Sequence, residues 1–426
     1  MLPEKFIQQT RALFGDERFE RYLQAFDEEA PVSIRLNPRL LADNHWQLAV
    51  EHERVPWCRD GYYLRQRPVF TFDPLFHAGC YYVQEAASMF LDEVIRQTSP
   101  CPSEGGEKGT FPCPSEGGEP KSSPLGRLGG VLDLCAAPGG KSTLLRSALP
   151  EDCVLYSNEP IRNRASILLE NVTKWGYENH LVTNNYPKDY RASKLCFDLI
   201  LCDVPCSGEG MFRKDPATVR EWSPQQVEKC WPLQRDIVDD AWACLKPGGV
   251  LIYSTCTFNT KENEENIRYF LQKYDDMEVV PVETRPDWHI TGSLLEGFHE
   301  PVYRFIPGIS RGEGLFLCVL RKNLPLSPSK GRGNQDALNV LTTDFSHRPS
   351  AIKVDLDYKS ALAYLRGEAI HLPDDTPRGL VTVCFEGFPL GQVKNIGSRA
   401  NNLYPKEWRI KTTHIPNDYE AILRHT

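Results

Sequence analysis

A chain of 426 residues has room for two or three domains of roughly 100–200 residues each, and its 41% hydrophobic and 10% aromatic content excludes a disordered or fibrous chain. The formal net charge of −8, from 49 Lys and Arg against 57 Asp and Glu, argues against coating nucleic acid by bulk charge and leaves room for a local basic surface. No apolar run approaches the roughly 20 residues that span a bilayer, so no membrane partner is expected, and MLPEKFIQQTRALF at the N-terminus lacks a signal-peptide core.

In chain order, residues 1–84 read as a small α+β domain. Helical patterning in EKFIQQTRALF and ERFERYLQAF gives way to the β-leaning PVSIRLNP and GYYLRQRPVF. An α/β domain is predicted over 85–323. It opens with the helix QEAASMFLDEVIRQ and is interrupted at 98–128, where CPSEGGE begins at Cys101 and recurs from Cys113. That Pro-, Gly-, Ser- and Glu-rich duplication cannot bury a core and reads as a flexible surface insertion. From Gly130 onward VLDLC, VLYSNE, HLVTNN, FDLILCD and VLIYSTC alternate with helical stretches such as IRNRASILLENVTKWG. That alternation implies a doubly wound parallel sheet, with ligands expected outside the carboxyl ends of the strands.

After the last strand, RGEGLFLCVLRKN, residues 324–371 read as a linker, LPLSPSKGRGNQ, and a small intermediate domain. Residues 372–426 have the short-strand, glycine-turn texture of a compact β unit. There Lys394, Arg399, Lys406, Arg409 and Lys411 interleave with Tyr404 and Trp408, a candidate nucleic-acid surface. The fourteen cysteines lie mostly in strand-like runs with no C-x-x-C pair. Reduced thiols in a cytoplasmic protein are therefore expected, and no metal site.

The stretch LDLCAAPGGKST, Leu132 to Thr143, nearly spells a phosphate-binding loop. Gly140, Lys141 and Ser142 fit the end of that pattern. Cys135 replaces its first glycine, however, and Ala136, Ala137 and Pro138 follow, the proline removing a donor amide. Glu159 stands about 20 residues past the glycines, where a carboxylate accepts ribose hydroxyls. A nucleoside without a diphosphate is implied, and S-adenosylmethionine is the candidate cofactor.

The fourth strand runs into CDVPCSGEGMFRKD and the fifth into YSTCT, so Asp203 and Cys206 are predicted to lie beside Cys256. Two thiols near a methyl donor suggest attack on a pyrimidine, because carbon 5 of cytosine becomes nucleophilic only after carbon 6 receives a thiolate. The thiolate is the reactive form, and Lys141 is a candidate for favouring it.

CAAPGGKST, DVPCSGEG and YSTCT resemble motifs of the NOL1/NOP2/Sun family of RNA cytosine-5 methyltransferases. PVSIRLN, YYVQEAASM and LKPGGVLIYSTCT extend the likeness. GEGMFRKD and the tail LGQVKN…NNLYPKEWRI are similar to its bacterial ribosomal RNA branch, which appends a PUA-like RNA-binding domain. The resemblance implies a Rossmann-like S-adenosylmethionine-dependent methyltransferase over 85–323, an N-terminal RNA-binding domain over 1–84 and a PUA-like domain over 372–426. It further implies that Cys256 attacks carbon 6, that Cys206 assists release of the methylated base, and that Asp203 bonds the cytosine edge. Cys135, Ala136, Ala137, Pro138, Gly139, Gly140, Lys141 and Asp203 would line the cofactor, with Glu159 on its ribose. The family's adenine-holding acid is absent from TNNYPKD, where Asn185 is the expected substitute. The implied partner is RNA, ribosomal and of the small subunit, bound by a monomer. Four alternatives stay open: a transfer RNA substrate; a DNA cytosine methyltransferase, in which Cys206 would be the nucleophile; a non-catalytic assembly factor; and a small-molecule methyltransferase.

Overall fold

The strand candidates of the α/β domain become one central sheet in the computed structural model, which describes residues 2–42, 45–98, 130–324, 337–343, 350–412, 416 and 418–426. The insertion predicted at 98–128 lies outside the described residues except for Thr98, and so does the linker beyond Leu324. Among the described residues the central sheet has nine strands. Its order is Met277–Val279, Leu315–Lys322, Leu245–Thr255, Phe197–Asp203, Val131–Asp133, Leu155–Asn158, His180–Thr183 and Val340–Leu341, with Tyr303–Phe305 paired onto Leu315–Lys322. The run from Leu245–Thr255 to His180–Thr183 is parallel, and the outer strands are antiparallel.

Parallel strands are covered on both faces and must be apolar on both. Leu199, Ile200, Leu201 and Cys202 are accordingly all buried. Successive side chains feed opposite cores, as a period of two requires. Leu199 and Leu201 join Phe90, Val94, Leu144 and Leu145 on one side, while Ile200 joins Ile237, Val238, Trp242 and Phe270 on the other. Strand order reverses between Val131–Asp133 and Phe197–Asp203, so the loops after these two strands border a crevice.

The N-terminal residues are less separate than their α+β texture suggests. The helices Glu4–Phe14 and Asp16–Gln24 put Phe6, Phe14, Phe19 and Tyr22 into one core with Phe212, Trp222 and Phe258. The Phe14 and Phe258 rings lie 5.7 Å apart and those of Phe6 and Phe212 4.9 Å. These helices therefore brace the segments that follow Cys206 and Cys256. The remaining N-terminal strands form an antiparallel sheet in the order His52–Arg54, Gly61–Leu64, Val32–Leu36, Tyr81–Val83.

The C-terminal unit is a four-stranded sheet ordered Lys353–Asp355, Gly379–Phe385, Phe388–Asn395, Ala400–Asn402. The boundary expected at residue 371 therefore cuts through one structure. Lys353–Asp355 pairs in parallel with Gly379–Phe385, and the helix Tyr358–Leu365 buries Leu362, Tyr364 and Leu365 in the same core as Val381 and Leu390. A three-residue strand and an eight-residue helix bury too little apolar surface to stand apart. The same core takes in Ile34, Leu75 and Tyr81 of the N-terminal part. The chain end returns as well, Leu423–His425 pairing with Trp46–Leu48.

Candidate active site

The glycine loop leaves the first central strand and enters the helix Gly140–Ala148. Two amides at its start are taken. Leu134 N donates to Leu201 O at 2.9 Å and Ala136 N to Asn158 O at 2.8 Å, and Pro138, after a cis peptide, has none. A phosphate cradle draws on consecutive free amides, and these two bonds together with the proline leave fewer of them. Gly139 has φ 116° and caps the helix; a Cβ there would be strained and would press on Leu168 at 3.2 Å. Cys135, Ala137 and Gly140 stay half-buried, Pro138 is exposed and Ala136 is buried.

The loop is supported from below by two buried polar groups. Arg35, from strand Val32–Leu36, donates to Thr143 Oγ1 at 2.6 Å and Gln84 Oε1 at 2.9 Å and lies over the Trp175 ring. Ser142 donates to Asp133 Oδ2 at 2.6 Å. Burial outweighs that bond and pushes the Asp133 carboxyl up to about 7.

Glu159 follows the second strand and is buried. Its Oε1 accepts the Ile161 amide at 2.9 Å, and Oε2 faces only the half-exposed Arg164 at 3.3 Å. An acid at this position, beside a loop in which a proline interrupts the run of donor amides, fits an adenosyl group without phosphates. Asn185 departs from expectation. Its Nδ2 donates to Asn339 O at 3.2 Å and its Oδ1 accepts Asn339 N at 3.0 Å, so both ends of the amide bind the residue that leads into the outer strand Val340–Leu341 rather than facing the crevice. It is not placed to hold an adenine.

Cys206 and Cys256 meet as the strand order predicts. Their sulfurs are 3.1 Å apart, well beyond the roughly 2.05 Å of a disulfide, and Cys256 N donates to Cys206 Sγ at 3.4 Å. Both side chains remain partly accessible. The hydrogen bond to Cys256, with burial, pushes the Cys206 thiol well up. Asp203 stands at the end of the same strand. Its Oδ1 accepts Ser254 Oγ at 2.7 Å and its Oδ2 accepts Lys141 Nζ at 2.9 Å. Burial opposes the Lys141 charge, but Asp203 and the nearby Cys256 outweigh it and its pKa is raised. Lys141 therefore remains a cation at the mouth of the thiol pair.

Two acids that the sequence reading passed over join the cysteine loops. Glu209 Oε2 accepts the amides of Phe258 and Asn259 at 2.7 and 3.0 Å, and Glu262 Oε2 accepts Ser207 N at 3.0 Å. In sequence Glu209 is one acid between two glycines, and nothing marks Glu262 among the charges of TKENEEN. The tail aromatics also differ from expectation. Tyr404 is buried, its ring 5.3 Å from Tyr364, and Trp408 packs under Lys174. Lys394, Arg399, Lys406 and Lys411 are exposed.

A reversing parallel sheet whose first loop suits an adenosyl group, with paired thiols on its fourth and fifth strands, defines an S-adenosylmethionine-dependent methyltransferase. Comparison with known proteins narrows the class. A family model described as 16S rRNA methyltransferase RsmB/F matches residues 127–321. A model of the N-terminal domain of 16S rRNA methyltransferase RsmF matches 2–86, and one of the methyltransferase RsmF PUA domain matches 351–410. The chain belongs to the RsmB/F methyltransferase family.

Ribosomal RNA small subunit methyltransferase F of Erwinia tasmaniensis is 25% identical, over 95% of this chain and 96% of its own length. That of Serratia proteamaculans is 30% identical over 77% of this chain and 64% of its own. Among solved structures, a methyltransferase homolog protein from Pyrococcus horikoshii has a TM-score of 0.55 at 25% identity, covering 75% of this chain and 100% of that one. NSun6 of the same organism, solved with SFG, has a TM-score of 0.56 at 19% identity over 75% and 98% and shares the fold.

Proposed function

We propose that this chain methylates carbon 5 of a cytosine in 16S ribosomal RNA through a covalent bond to Cys256. S-adenosylmethionine, when bound, supplies an electrophilic methyl group. Cys135, Ala136, Ala137, Pro138, Gly139 and Gly140 would hold its adenosyl and methionine parts, with Glu159 on the ribose. Cys256, as a thiolate, adds to carbon 6 while Asp203, protonated on one oxygen in the complex with the base, passes that proton to ring nitrogen 3 and is left as a carboxylate beside Lys141. The electron pair then resides on carbon 5, which takes the methyl group. Cys206, once it has given its own proton to solvent, accepts the carbon 5 proton as a thiolate. The ring double bond re-forms, Cys256 leaves with its electron pair, and nitrogen 3 returns its proton to Asp203.

The observation that carries this reading is the 3.1 Å approach of the two sulfurs beside the Lys141–Asp203 pair. Either thiol alone would be ordinary packing. A base must leave its stack to reach them, at a cost of a few kcal/mol, which favours an unpaired cytosine. Exposed Lys394, Arg399, Lys406 and Lys411 offer phosphate contacts despite the acidic whole. No helix among the described residues is long and apolar enough to cross a membrane. The cysteines described are free, which suits a reducing cytoplasm.

The test is trapping on 16S ribosomal RNA carrying 5-azacytidine. Wild type is expected to form a covalent complex and Cys256→Ala none, whereas Cys206→Ala accumulates the complex on unsubstituted RNA. Reversed behaviour of the two variants would overturn the assignment. Bisulfite sequencing of RNA from a deletion strain identifies the nucleotide; a lost signal in transfer RNA alone would overturn the ribosomal substrate.

A further inference from the structure

Resting on that reading, we infer that Glu209 and Glu262 are positioning residues that divide the reaction between them, Glu209 setting Cys256 for attack and Glu262 setting Cys206 for release. The two carboxylates form a reciprocal clasp. Glu209 leaves the Cys206 loop and receives the amides two and three residues past Cys256, at 2.7 and 3.0 Å. Glu262 leaves the Cys256 segment and receives the amide of Ser207, one residue past Cys206, at 3.0 Å. Gln234 completes the hold on Cys206 from its other side, donating to Pro205 O at 2.9 Å and to Glu262 Oε2 at 2.7 Å. Asn259 Nδ2 reaches Glu262 Oε1 at 2.7 Å and Glu209 Oε1 at 3.3 Å, so one side chain touches both acids.

Both carboxylates are nearly sealed, Glu209 at 3% and Glu262 at 0% exposure. Their hydrogen bonds come from amides, side-chain amides and the Trp222 indole. Burying an anion among neutral donors is costly, and a loop that only had to close would be served by an apolar contact. A carboxylate instead presents two oxygens able to accept from several donors at once, which is what fixing two neighbouring backbones requires. The clasp also has an electrostatic consequence. The hydrogen bond with Cys256 and burial push the Cys206 thiol up, and the Glu262 carboxylate adds to both, which makes the Cys206 thiolate a stronger base for the carbon 5 proton.

The experiment is rapid-quench single turnover on 16S ribosomal RNA with methyl-labelled cofactor, following covalent complex and free 5-methylcytosine separately across pH. Glu262→Gln is expected to form the complex at close to the normal rate and to release product about tenfold more slowly or worse, the scale of one lost hydrogen bond to a charged group. Its release profile shifts to lower pH, because the Cys206 thiol loses a proton-retaining neighbour. Glu262→Asp, which keeps the charge, restores the profile even where the rate stays low. Glu209→Gln is expected to slow formation of the complex by a similar factor without accumulating it. In a Cys206→Ala background Glu262→Gln adds less than about twofold, since groups acting through one another are not additive. Equal slowing of both steps by both variants, an unshifted profile, or additivity with Cys206→Ala would overturn the inference. Failure of Cys206→Ala itself to accumulate complex would instead overturn the mechanism on which it rests.

Discussion

Gly210→Ala places one methyl group where three backbone segments of the site converge. A Cβ at this position would lie 2.8 Å from Cys256 O, 3.2 Å from Glu313 O and 3.3 Å from Gly314 Cα. All three are main-chain atoms, so no rotamer relieves the overlap. Gly210 N also donates to Cys256 O at 2.8 Å, which ties this glycine to the nucleophile's own peptide. Reaching an ordinary contact of 3.4 Å from 2.8 Å needs a shift of roughly 0.6 Å. Overpacking of this kind costs about 1–3 kcal/mol. Misplacement by 1 Å lowers a positioned reaction by about a hundredfold, so a shift of roughly half that corresponds to about tenfold. Urea denaturation reads the first quantity, and single-turnover formation of the Cys256 adduct reads the second. Adduct formation at the wild-type rate in a variant destabilised by the expected amount would refute the claim that this contact sets Cys256.

Arg304 is 1% exposed and Glu264 0%. Arg304 Nε meets Glu264 Oε1 at 2.8 Å and its Nη1 reaches Phe258 O at 2.8 Å. Arg304→Met leaves a buried anion and is expected to cost about 3–5 kcal/mol in urea denaturation, most of it recovered by adding Glu264→Gln. Asp203→Asn keeps the shape but cannot deliver a proton, so turnover is expected to fall by about 10²–10⁴-fold with RNA affinity little changed in filter binding. Acid sensitivity follows from two histidines, His77 buried and His180 half-buried. Burial, with Lys174 and Arg146 nearby, holds His77 and His180 down to about 3. A depressed histidine contributes stability fully above its unfolded value of about 6.5 and loses it as pH falls toward the folded value. Each is expected to forfeit about 2 kcal/mol by pH 5, and His180→Gln should flatten that slope between pH 6.5 and 5.

The sheet and its cysteine pair were legible because both depend on local pattern. FDLILCD is apolar on both faces, and a thiol after each of two neighbouring strands must meet at their shared ends. Cys206 and Cys256 therefore followed from strand order alone. Contacts between distant segments leave no such trace. Glu209 and Glu262 are charged residues in a charged neighbourhood, and only the folded loops bring each carboxylate onto the other cysteine's backbone. Arg35 lies in the quoted PVSIRLN, yet its bond to Thr143 spans two domains. Asn185 illustrates the opposite error. It stands after the right strand, but the strand Val340–Leu341 adds to the sheet edge and brings Asn339, just before it, to take the Asn185 amide. Tyr404 was read as surface by its basic neighbours, whereas the helix Tyr358–Leu365 covers it. The boundary at 371 failed for the same reason, because a three-residue strand is too short to carry a periodicity.

The central claim is that Cys256, with Cys206 as its proton partner, bonds the target base. Proteolysis and mass spectrometry of the complex accumulated by Cys206→Ala on unsubstituted 16S ribosomal RNA tests it most directly. A 5-methylcytidine mass on the peptide containing Cys256 is the expected result. A complex bonded through any other residue, or no complex with RNA that the wild type methylates, would contradict it.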